Sequence, residues 1–206
     1  MRPQFVFRTP SALVATAPSP FGHFAVAVAG NSVVGVSIGH GAGPQAAARL
    51  ARVLGEPLDA AKSSDDRADQ RLAVDVVDRL GRYFKGKPVT LDDIPVSLDH
   101  LSTFQKRVAT ACRAIPYGAT LSYGELAAAA GSPGAARAVG QVMASNRAPL
   151  LVPCHRVLAA GGKLGGFSAP QGLTLKRRLL ALEGHAVDDS DAESHQPKQR
   201  SFATHC

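Results

Sequence analysis

The sequence is short of cysteine and of long hydrophobic runs, and both absences restrict what the protein is. Its 206 residues include three widely spaced cysteines, Cys112, Cys154 and Cys206. We therefore expect free thiols in a reducing, cytoplasmic compartment. No apolar run approaches the ~20 residues that cross a bilayer, and no segment near the N-terminus has the pattern of a signal peptide. These features predict a soluble protein whose hydrophobic residues, 45% of the chain, fill one ample core or two small ones.

Acidic residues are scarce in one part of the chain. Residues 1–99 carry 11 Lys and Arg against 10 Asp and Glu, whereas residues 100–185 carry 10 against 2. The second segment therefore has a net charge of +8, within a chain whose total is +7. A field of one sign over one domain recruits polyanions, so this segment is predicted to bind DNA or RNA. A solvated basic face that only aids solubility is the alternative.

The first half of the chain has the pattern of a small α+β domain. Residues 23–29 and 32–38 are rich in Val, Ala and Ile and flank Gly30-Asn31, which predicts a tight hairpin. Residues 71–84 have apolar side chains at helical spacing and predict an amphipathic helix. Glycines, prolines and charges break this pattern in residues 85–95, a candidate linker. No catalytic pattern is visible in this half.

The second half is predicted to be mainly helical. Residues 103–115 form one predicted helix, and Ser122 with Glu125 makes a capping box for a helix over residues 123–130. A Gly-containing turn then leads to a helix over residues 135–145, which exposes Arg137 near its start. Two short helices joined in this way match a helix-turn-helix, whose second helix enters a groove of DNA. Tight packing between helices is the alternative, because it uses the same small residues.

Cys154 has the sequence environment of a reactive thiol. It follows the apolar run Leu150-Leu151-Val152 and stands beside His155 and Arg156. A thiol is nucleophilic only as its thiolate, which a neighbouring base and positive charge favour. Hydrolytic, redox and metal-binding chemistry all remain open for it at this point. Cys112, on the apolar face of its predicted helix, is expected to be buried and inert.

A series of short motifs follows in order over residues 100–185, and together they resemble one family. They are Thr103-Phe104-Gln105, Pro116-Tyr117-Gly118, Ser122-Tyr123, Ala136-Arg137-Ala138-Val139-Gly140, Asn146, residues 153–157, Gly165-Gly166-Phe167 and residues 179–184. With these motifs the chain closely resembles the O6-alkylguanine-DNA alkyltransferases, also called methylated-DNA-protein-cysteine methyltransferases. The resemblance implies direct DNA repair by irreversible, single-turnover transfer of an alkyl (methyl) group from O6-alkylguanine in duplex DNA to Cys154. O4-alkylthymine is a further candidate substrate.

The resemblance also implies a role for each matching side chain. Cys154 would accept the alkyl group, His155 would act as its base through a water, and Glu183 would hold the imidazole. Asn146 would link the helical hairpin to the active-site segment, and Tyr123 would donate a proton to the guanine.

Further matching residues would bind DNA or line the pocket. A target atom inside a duplex demands base flipping, and Arg137 suits the role of filling the vacated stack. Ala136, Ala138 and Gly140, with Tyr123, would let the backbone approach the duplex, whereas Met143, Val157, Gly165, Phe167 and Ser168 would form the substrate pocket.

The fold implied is α+β in two domains. Residues 1–95 would form a small N-terminal α/β, ribonuclease H-like domain, and residues 96–185 a mainly helical DNA-binding and alkyltransferase domain with the helix-turn-helix. Residues 186–206 are acidic and then polar, which predicts a disordered tail. We expect a monomer without a cofactor. Some members of the family bind structural zinc through N-terminal Cys and His residues, but residues 1–99 contain no cysteine, so we expect no metal.

Two departures from the family pattern concern the lip of the pocket. Arg147 replaces a proline that usually follows the asparagine, and Ala169-Pro170-Gln171-Gly172 replaces a shorter Gly-Gly turn. Both affect the expected breadth of substrates more than the chemistry. Three other classes of function stay open: a non-catalytic alkylated-DNA-binding or regulatory relative, a transcription regulator, and a cysteine hydrolase that turns over many times.

Overall fold

A five-stranded antiparallel sheet forms the centre of the N-terminal half. The computed structural model describes residues 5–57, 59–60, 67–87 and 89–185. The strands are β1 Phe5–Arg8, β2 Leu13–Ala17, β3 His23–Ala29, β4 Ser32–His40 and β5 Asp59–Ala60. They lie in the order β4-β3-β2-β1-β5 in the sheet.

The hairpin between β3 and β4 is confirmed where it was predicted. Gly30 and Asn31 have φ angles of +55° and +56°, the left-handed values that a two-residue hairpin turn needs. Strand β4 continues two residues past the predicted end, to His40. One helix covers each face of the sheet, with α1 (Gly43–Leu54) against the small alanines and α2 (Arg67–Tyr83) against the larger residues. Alternation of side chains along β2 and β3 produces these two unlike faces.

Helix α2 begins four residues earlier than its apolar pattern predicts. Its first turn is polar, and Asp69 there accepts a hydrogen bond of 2.7 Å from the backbone N–H of Asn31. A negative charge in the first turn is also stabilised by the helix dipole. Tertiary contact with the hairpin therefore extends the helix beyond its amphipathic part.

The second half is mainly helical, as predicted, and the mixed helix and sheet of the whole chain confirm the α+β class. Both helices with a serine N-cap, at Ser102 and Ser122, have complete capping boxes. A two-residue parallel pair, β6 (Leu121–Ser122) with β7 (Val157–Leu158), joins the start of α4 (Tyr123–Ala129) to the segment after Cys154. The bounds are α3 Thr103–Arg113, β6 Leu121–Ser122, α4 Tyr123–Ala129, α5 Ala136–Ala144, β7 Val157–Leu158 and α6 Gly172–Leu182.

The two halves share one apolar core and several backbone contacts. The outer edge of β4 is covered by the segment that connects the two halves and by a loop of the second half. Val33 exchanges backbone hydrogen bonds with Pro95 and Ser97, and the Val36 N–H donates to the Arg147 carbonyl at 2.7 Å. Covering a sheet edge in this way satisfies its free backbone groups. Strand β4 is therefore placed directly beside the loop that precedes Cys154. In the described part of the chain, no helix is both long and apolar enough to span a bilayer. The predicted tail at residues 186–206 lies outside the described residues.

Candidate active site

Cys154 begins a single 3-10 turn, Cys154–Arg156, that follows a sharp bend in the chain. Leu150 has a φ of +74°, a left-handed value that is rare for a branched side chain. The bend lets Val152 accept a 2.7 Å hydrogen bond from the Cys154 N–H. Backbone strain of this kind costs on the order of 1–3 kcal/mol and persists where the surroundings impose it. Here it directs the chain so that the thiol, 7% exposed, borders a pocket.

Asn146 fixes the loop that carries this bend. Its side-chain N–H donates to the Val152 carbonyl at 2.8 Å, and its side-chain oxygen accepts from the Ala148 N–H at 3.0 Å. Asn146 follows Ser145, the C-cap of α5. The Asn146 side chain thus connects the end of α5 to the segment that positions Cys154.

His155 and Glu183 form a buried pair. His155 Nε2 donates to Glu183 Oε1 across 2.9 Å, and both side chains are 1% exposed or less. The other ring nitrogen, Nδ1, is buried and has no hydrogen-bond partner among the described residues. Because Nε2 carries the proton toward the carboxylate, Nδ1 of the neutral ring is an acceptor.

Glu183 is the centre of a larger network. Arg156 donates to it through two nitrogens, at 2.8 Å to Oε2 and 2.9 Å to Oε1. The Tyr83 hydroxyl donates to Oε1 at 2.5 Å, and the Gly118 N–H donates to Oε2 at 3.1 Å. Burial alone would raise the pKa of Glu183, but the hydrogen bonds from His155 and Arg156 hold that pKa well below its usual range. The carboxylate therefore stays charged and fully paired.

The sequence does not indicate that Tyr83 and Arg156 contact Glu183. Tyr83 lies on the apolar face of α2, where an aromatic residue predicts only core packing, and it is 100 residues away from Glu183. The first half shows no catalytic pattern in its sequence, yet the hydroxyl of Tyr83 also lies 3.3 Å from His155 Nε2. Arg156 is part of the recognised motif, but its bidentate contact with Glu183 depends on the folded chain.

The thiol and the imidazole are both neutral at rest. Burial raises the pKa of Cys154, and the Asn146 amide and the charge of Lys176 act against this rise. Burial also lowers the pKa of His155, although Glu183 opposes the change. Formation of a thiolate therefore requires transfer of the thiol proton at the moment of reaction.

Lys176 is a buried cation close to the site that the sequence did not indicate. It is 0% exposed and donates to the Val157 carbonyl at 2.6 Å and to the Leu164 carbonyl. Burial lowers its pKa to about 8. Lys176 thus fastens β7 and the following loop to α6.

A pocket of about 430 Å³ opens beside the thiol. Its lining brings together six of the predicted residues, namely Cys154, Tyr123, Gly140, Met143, Phe167 and Ser168. Val157 is fully buried in β7 and does not line this pocket. Gly165 has a supporting position, since a Cβ there would lie 3.2 Å from the Tyr123 ring. Because residue 165 has no side chain, Tyr123 has room to lie along the pocket wall.

An open groove of about 1000 Å³ adjoins the pocket at Tyr123 and Gly140. Its lining includes Ala136, Arg137 and Gly140 of α5 and residues 160–162. Arg137 is exposed, as predicted. Ala138 is half-buried and does not line the groove. The groove lies at the N-terminal end of α5 and leads to the thiol.

Comparison with known proteins adds an independent finding. Residues 103–185 match the family model described as 6-O-methylguanine DNA methyltransferase, DNA binding domain. A methylated-DNA–protein-cysteine methyltransferase of Mycolicibacterium paratuberculosis is 50% identical over 108 residues, which are 52% of this chain and 62% of that relative. Another of that name, from Methanopyrus kandleri, is 49% identical over 105 residues, 51% of this chain and 76% of the relative.

A solved structure is similar over most of the chain. The crystal structure of Mycobacterium tuberculosis OGT in complex with DNA superposes with a TM-score of 0.61 at 33% identity, covering 86% of this chain and 91% of that one. The sequence match is narrower than the structural one, since this chain spans less than two thirds of the length of the mycobacterial relatives.

Proposed function

Since the chain belongs to the methylated-DNA–protein-cysteine methyltransferase family, we propose that it repairs DNA by moving an alkyl group from O6 of guanine to its own Cys154. The observation that carries this proposal is a thiol in the lining of a pocket, directly followed in the chain by His155, whose imidazole forms a buried pair with Glu183. O4-alkylthymine is a further candidate substrate. The transfer is irreversible, because a thioether sulfur is a poor leaving group, and each molecule acts once.

His155 is the base in the proposed reaction. Its Nδ1 is the ring nitrogen that is free to accept, so it takes the thiol proton, directly or through a water. The imidazolium that results is stabilised by the charged Glu183 through Nε2–H. Glu183, Arg156, Tyr83 and Asn146 are positioning residues, because they act through His155 or through the loop that carries Cys154.

The transfer itself is a displacement at the alkyl carbon. A bond forms between the Cys154 sulfur and that carbon, the bond from carbon to O6 breaks, and its electron pair stays with the guanine. The purine then needs a proton, for which the Tyr123 hydroxyl in the pocket wall is the proposed donor. Burial raises the pKa of Tyr123, which keeps this donor protonated before the reaction.

Duplex DNA is the proposed partner, and the protein is proposed to act as a monomer. The α4 and α5 pair would serve as a helix-turn-helix, with the N-terminal end of α5 against the duplex. A base must leave the stack to reach Cys154, which costs a few kcal/mol, and Arg137 would fill the vacated space. The net positive charge of residues 100–185 would supply the attraction to the phosphates of DNA.

The domain division stays part of this proposal. Residues 1–95 would form a ribonuclease H-like domain and residues 96–185 the DNA-binding and transfer domain. The buried contacts of Tyr83 with Glu183 and His155 support a role for the first domain in holding the site of the second.

The test counts product against protein. The protein is mixed with an excess of duplex containing O6-methylguanine, and the restored guanine is quantified over time. We expect a plateau at one equivalent for the natural chain and no product for Cys154→Ser. Product that continues past one equivalent would indicate hydrolytic turnover, and absence of product would contradict alkyl transfer.

A further inference from the structure

One wall of the substrate pocket is a partly exposed segment of chain. Phe167 and Ser168 line the pocket, and both belong to the loop between β7 and α6. Phe167 is half-buried and Ser168 is exposed. Gly165 and Gly166 precede this wall, and glycine has the widest conformational freedom of any residue. The wall therefore needs an anchor on its other side if the pocket is to keep one shape.

Gln171 ties the other side of this wall to the first half of the chain. It occupies the N-cap position of α6, but within the described residues its side chain makes no capping bond to that helix. Its Nε2 donates instead to the Phe21 carbonyl at 3.1 Å and to the Gly39 carbonyl at 2.9 Å. Gly39 belongs to β4, and Phe21 lies two residues before β3. Both N–H groups of the amide are thus used on backbone carbonyls of the N-terminal half.

Arg178 holds the Gln171 amide in this orientation. It lies two turns further along α6, and its guanidinium donates to Gln171 Oε1 at 3.5 Å and to the Pro20 carbonyl at 2.8 Å. Its Cζ also lies 4.4 Å from the centre of the Phe21 ring, where a cation is attracted to the aromatic face. With its oxygen toward Arg178, the amide presents its N–H groups to the two carbonyls. Gln171 and Arg178 together form a clamp between α6 and the N-terminal half.

The clamp lies at a close contact between α6 and β4. Gly39 has a φ of +79°, and a Cβ at this position would lie 2.7 Å from Leu175 Cδ2 and 3.3 Å from Gln171 Nε2. Only glycine permits this approach without displacing the helix or straining the strand. The first half therefore receives side chains from two successive turns of α6, which fixes the place where the pocket wall leads into this helix.

Building on the proposed function, we propose that Gln171 is a positioning residue for the substrate pocket, because it fixes the wall of Phe167 and Ser168 to the N-terminal sheet before DNA binds. A flipped base then enters a pocket that is already formed. Without the anchor, the wall must be ordered while the base is outside the stack, which makes the geometry for attack by Cys154 rarer. Gln171 does not line the groove at α5, so binding of the duplex itself does not depend on the amide.

The test separates transfer from binding in Gln171→Met. Methionine is about as long as glutamine and is uncharged, but it cannot donate a hydrogen bond. Methyl transfer is followed at a series of concentrations of duplex containing O6-methylguanine, each in excess of the protein, which yields a maximal rate constant and a half-saturating concentration. We expect the maximal rate constant to fall at least about fivefold, whereas the half-saturating concentration should stay within about twofold.

The amplitude of the same reaction reports on folding. Each folded molecule accepts one methyl group in the proposed function, so loss of folded protein lowers the equivalents transferred and leaves the rate constant of the remainder unchanged. Thr174→Ala is the matched control, because Thr174 is exposed in the first turn of α6 and does not line the pocket. It should keep both kinetic parameters within about twofold of the natural chain.

Arg178→Met tests the second part of the clamp. Loss of the guanidinium leaves the Gln171 amide free to rotate, so we expect the maximal rate constant to fall about two- to threefold. The double variant should react at nearly the rate of Gln171→Met alone, because two residues that act through one contact are not additive. Losses that multiply fully would overturn the clamp. Arg178→Met also carries the test if Gln171→Met does not fold, and an unchanged maximal rate constant in it would then overturn the inference.

The outcomes separate this inference from the proposed function. A maximal rate constant in Gln171→Met within about twofold of the natural value would overturn the inference, and so would a loss confined to the half-saturating concentration. In both cases, methyl transfer to Cys154 of the natural chain leaves the proposed function intact. If the natural chain transfers no methyl at all, the proposed function fails and the inference fails with it.

Discussion

Cys112 and Cys154 are both buried thiols of one core, yet their surroundings differ in almost every other respect. Cys112 is 0% exposed on the apolar face of α3, and burial raises its pKa far above the ordinary value. Burial also raises the pKa of Cys154, but the Asn146 amide and the charge of Lys176 act against this rise, and two spaces border the thiol. Burial alone therefore does not distinguish an inert thiol from a reactive one. The difference lies in the available base and in the access for a substrate.

The largest expected effect comes from replacing each of the two cysteines in turn. Cys154→Ser should abolish methyl transfer, because a serine hydroxyl is a far weaker nucleophile than a thiolate. Cys112→Ala should leave the rate of transfer within about twofold and lower the free energy of unfolding modestly, as for other small core truncations. Single-turnover assays with a duplex containing O6-methylguanine measure both. Retention of activity in Cys154→Ser would remove the distinction between the two thiols.

Glu183→Gln tests whether the base next to Cys154 depends on its buried partner. The amide leaves Arg156 without its counter-ion and no longer stabilises the imidazolium, so we expect the transfer rate to fall roughly 10²–10⁴-fold. An unpaired buried charge costs about 3–5 kcal/mol of stability, measured by urea denaturation. A rate unchanged in a folded variant would show that His155 works without this carboxylate.

Arg137→Ala tests access to Cys154 rather than its chemistry. Loss of the side chain that we propose to fill the stack should slow repair of duplex roughly 10- to 100-fold, since base flipping costs a few kcal/mol. Reaction with free O6-benzylguanine as the base alone should change by less than about twofold, because no stack is opened. Arg107→Ala, which removes an exposed arginine outside the groove lining, is the control. Equal losses on both substrates would contradict the role given to Arg137.

Tyr83→Phe tests whether a hydroxyl of the first half of the molecule contributes to the reactivity of Cys154. It removes one hydroxyl that donates to Glu183, so we expect a rate several-fold lower and a stability loss of about 0.5–1.5 kcal/mol. Tyr117→Phe is the matched control, because its hydroxyl donates instead to the Leu182 carbonyl at 2.8 Å. The two variants should lose similar stability, and only Tyr83→Phe should shift the pH profile of transfer. Identical profiles would leave Tyr83 a purely structural residue.

The smallest effect is expected in the pH dependence of the free energy of unfolding, through the buried carboxylate of Glu183. The pKa of Glu183 is lowered from an ordinary value of 4.5, so its contribution to stability is complete above that pH and is lost as the pH falls toward the folded pKa. The stability difference between the natural chain and Glu183→Gln should be constant from pH 7 to 5. Below pH 4.5 it should shrink by up to about 1.4 kcal/mol per pH unit. Urea midpoints measured across this range check it, and a difference that grows on acidification would contradict the assignment.

Local patterns predicted the parts of this molecule that depend on neighbours in sequence. The turn at Gly30-Asn31, the capping box at Ser122 and the burial of Cys112 follow from the residues within one turn or one helix face. The joint location of Cys154, Tyr123 and Phe167 at one pocket followed from the family resemblance, which rests on the order of the motifs. No geometric feature of the sequence predicted it.

Contacts between distant segments had no such signal. Tyr83 looks like any core aromatic until the fold places its hydroxyl on Glu183, and His40 looks like the end of a strand until β4 is placed beside the loop of Asn146. The short strand β5, at one edge of the sheet, likewise depends on pairing with β1, which lies far away in the chain. Such features are decided by packing and require the folded structure.

The most direct test of the distinction between the two thiols is a peptide mass map after reaction with excess duplex containing O6-methylguanine. We predict that the peptide bearing Cys154 gains one methyl group in every molecule and that the peptide bearing Cys112 gains none. A methyl group on Cys112, or an unmodified Cys154 after guanine has been restored, would contradict the account.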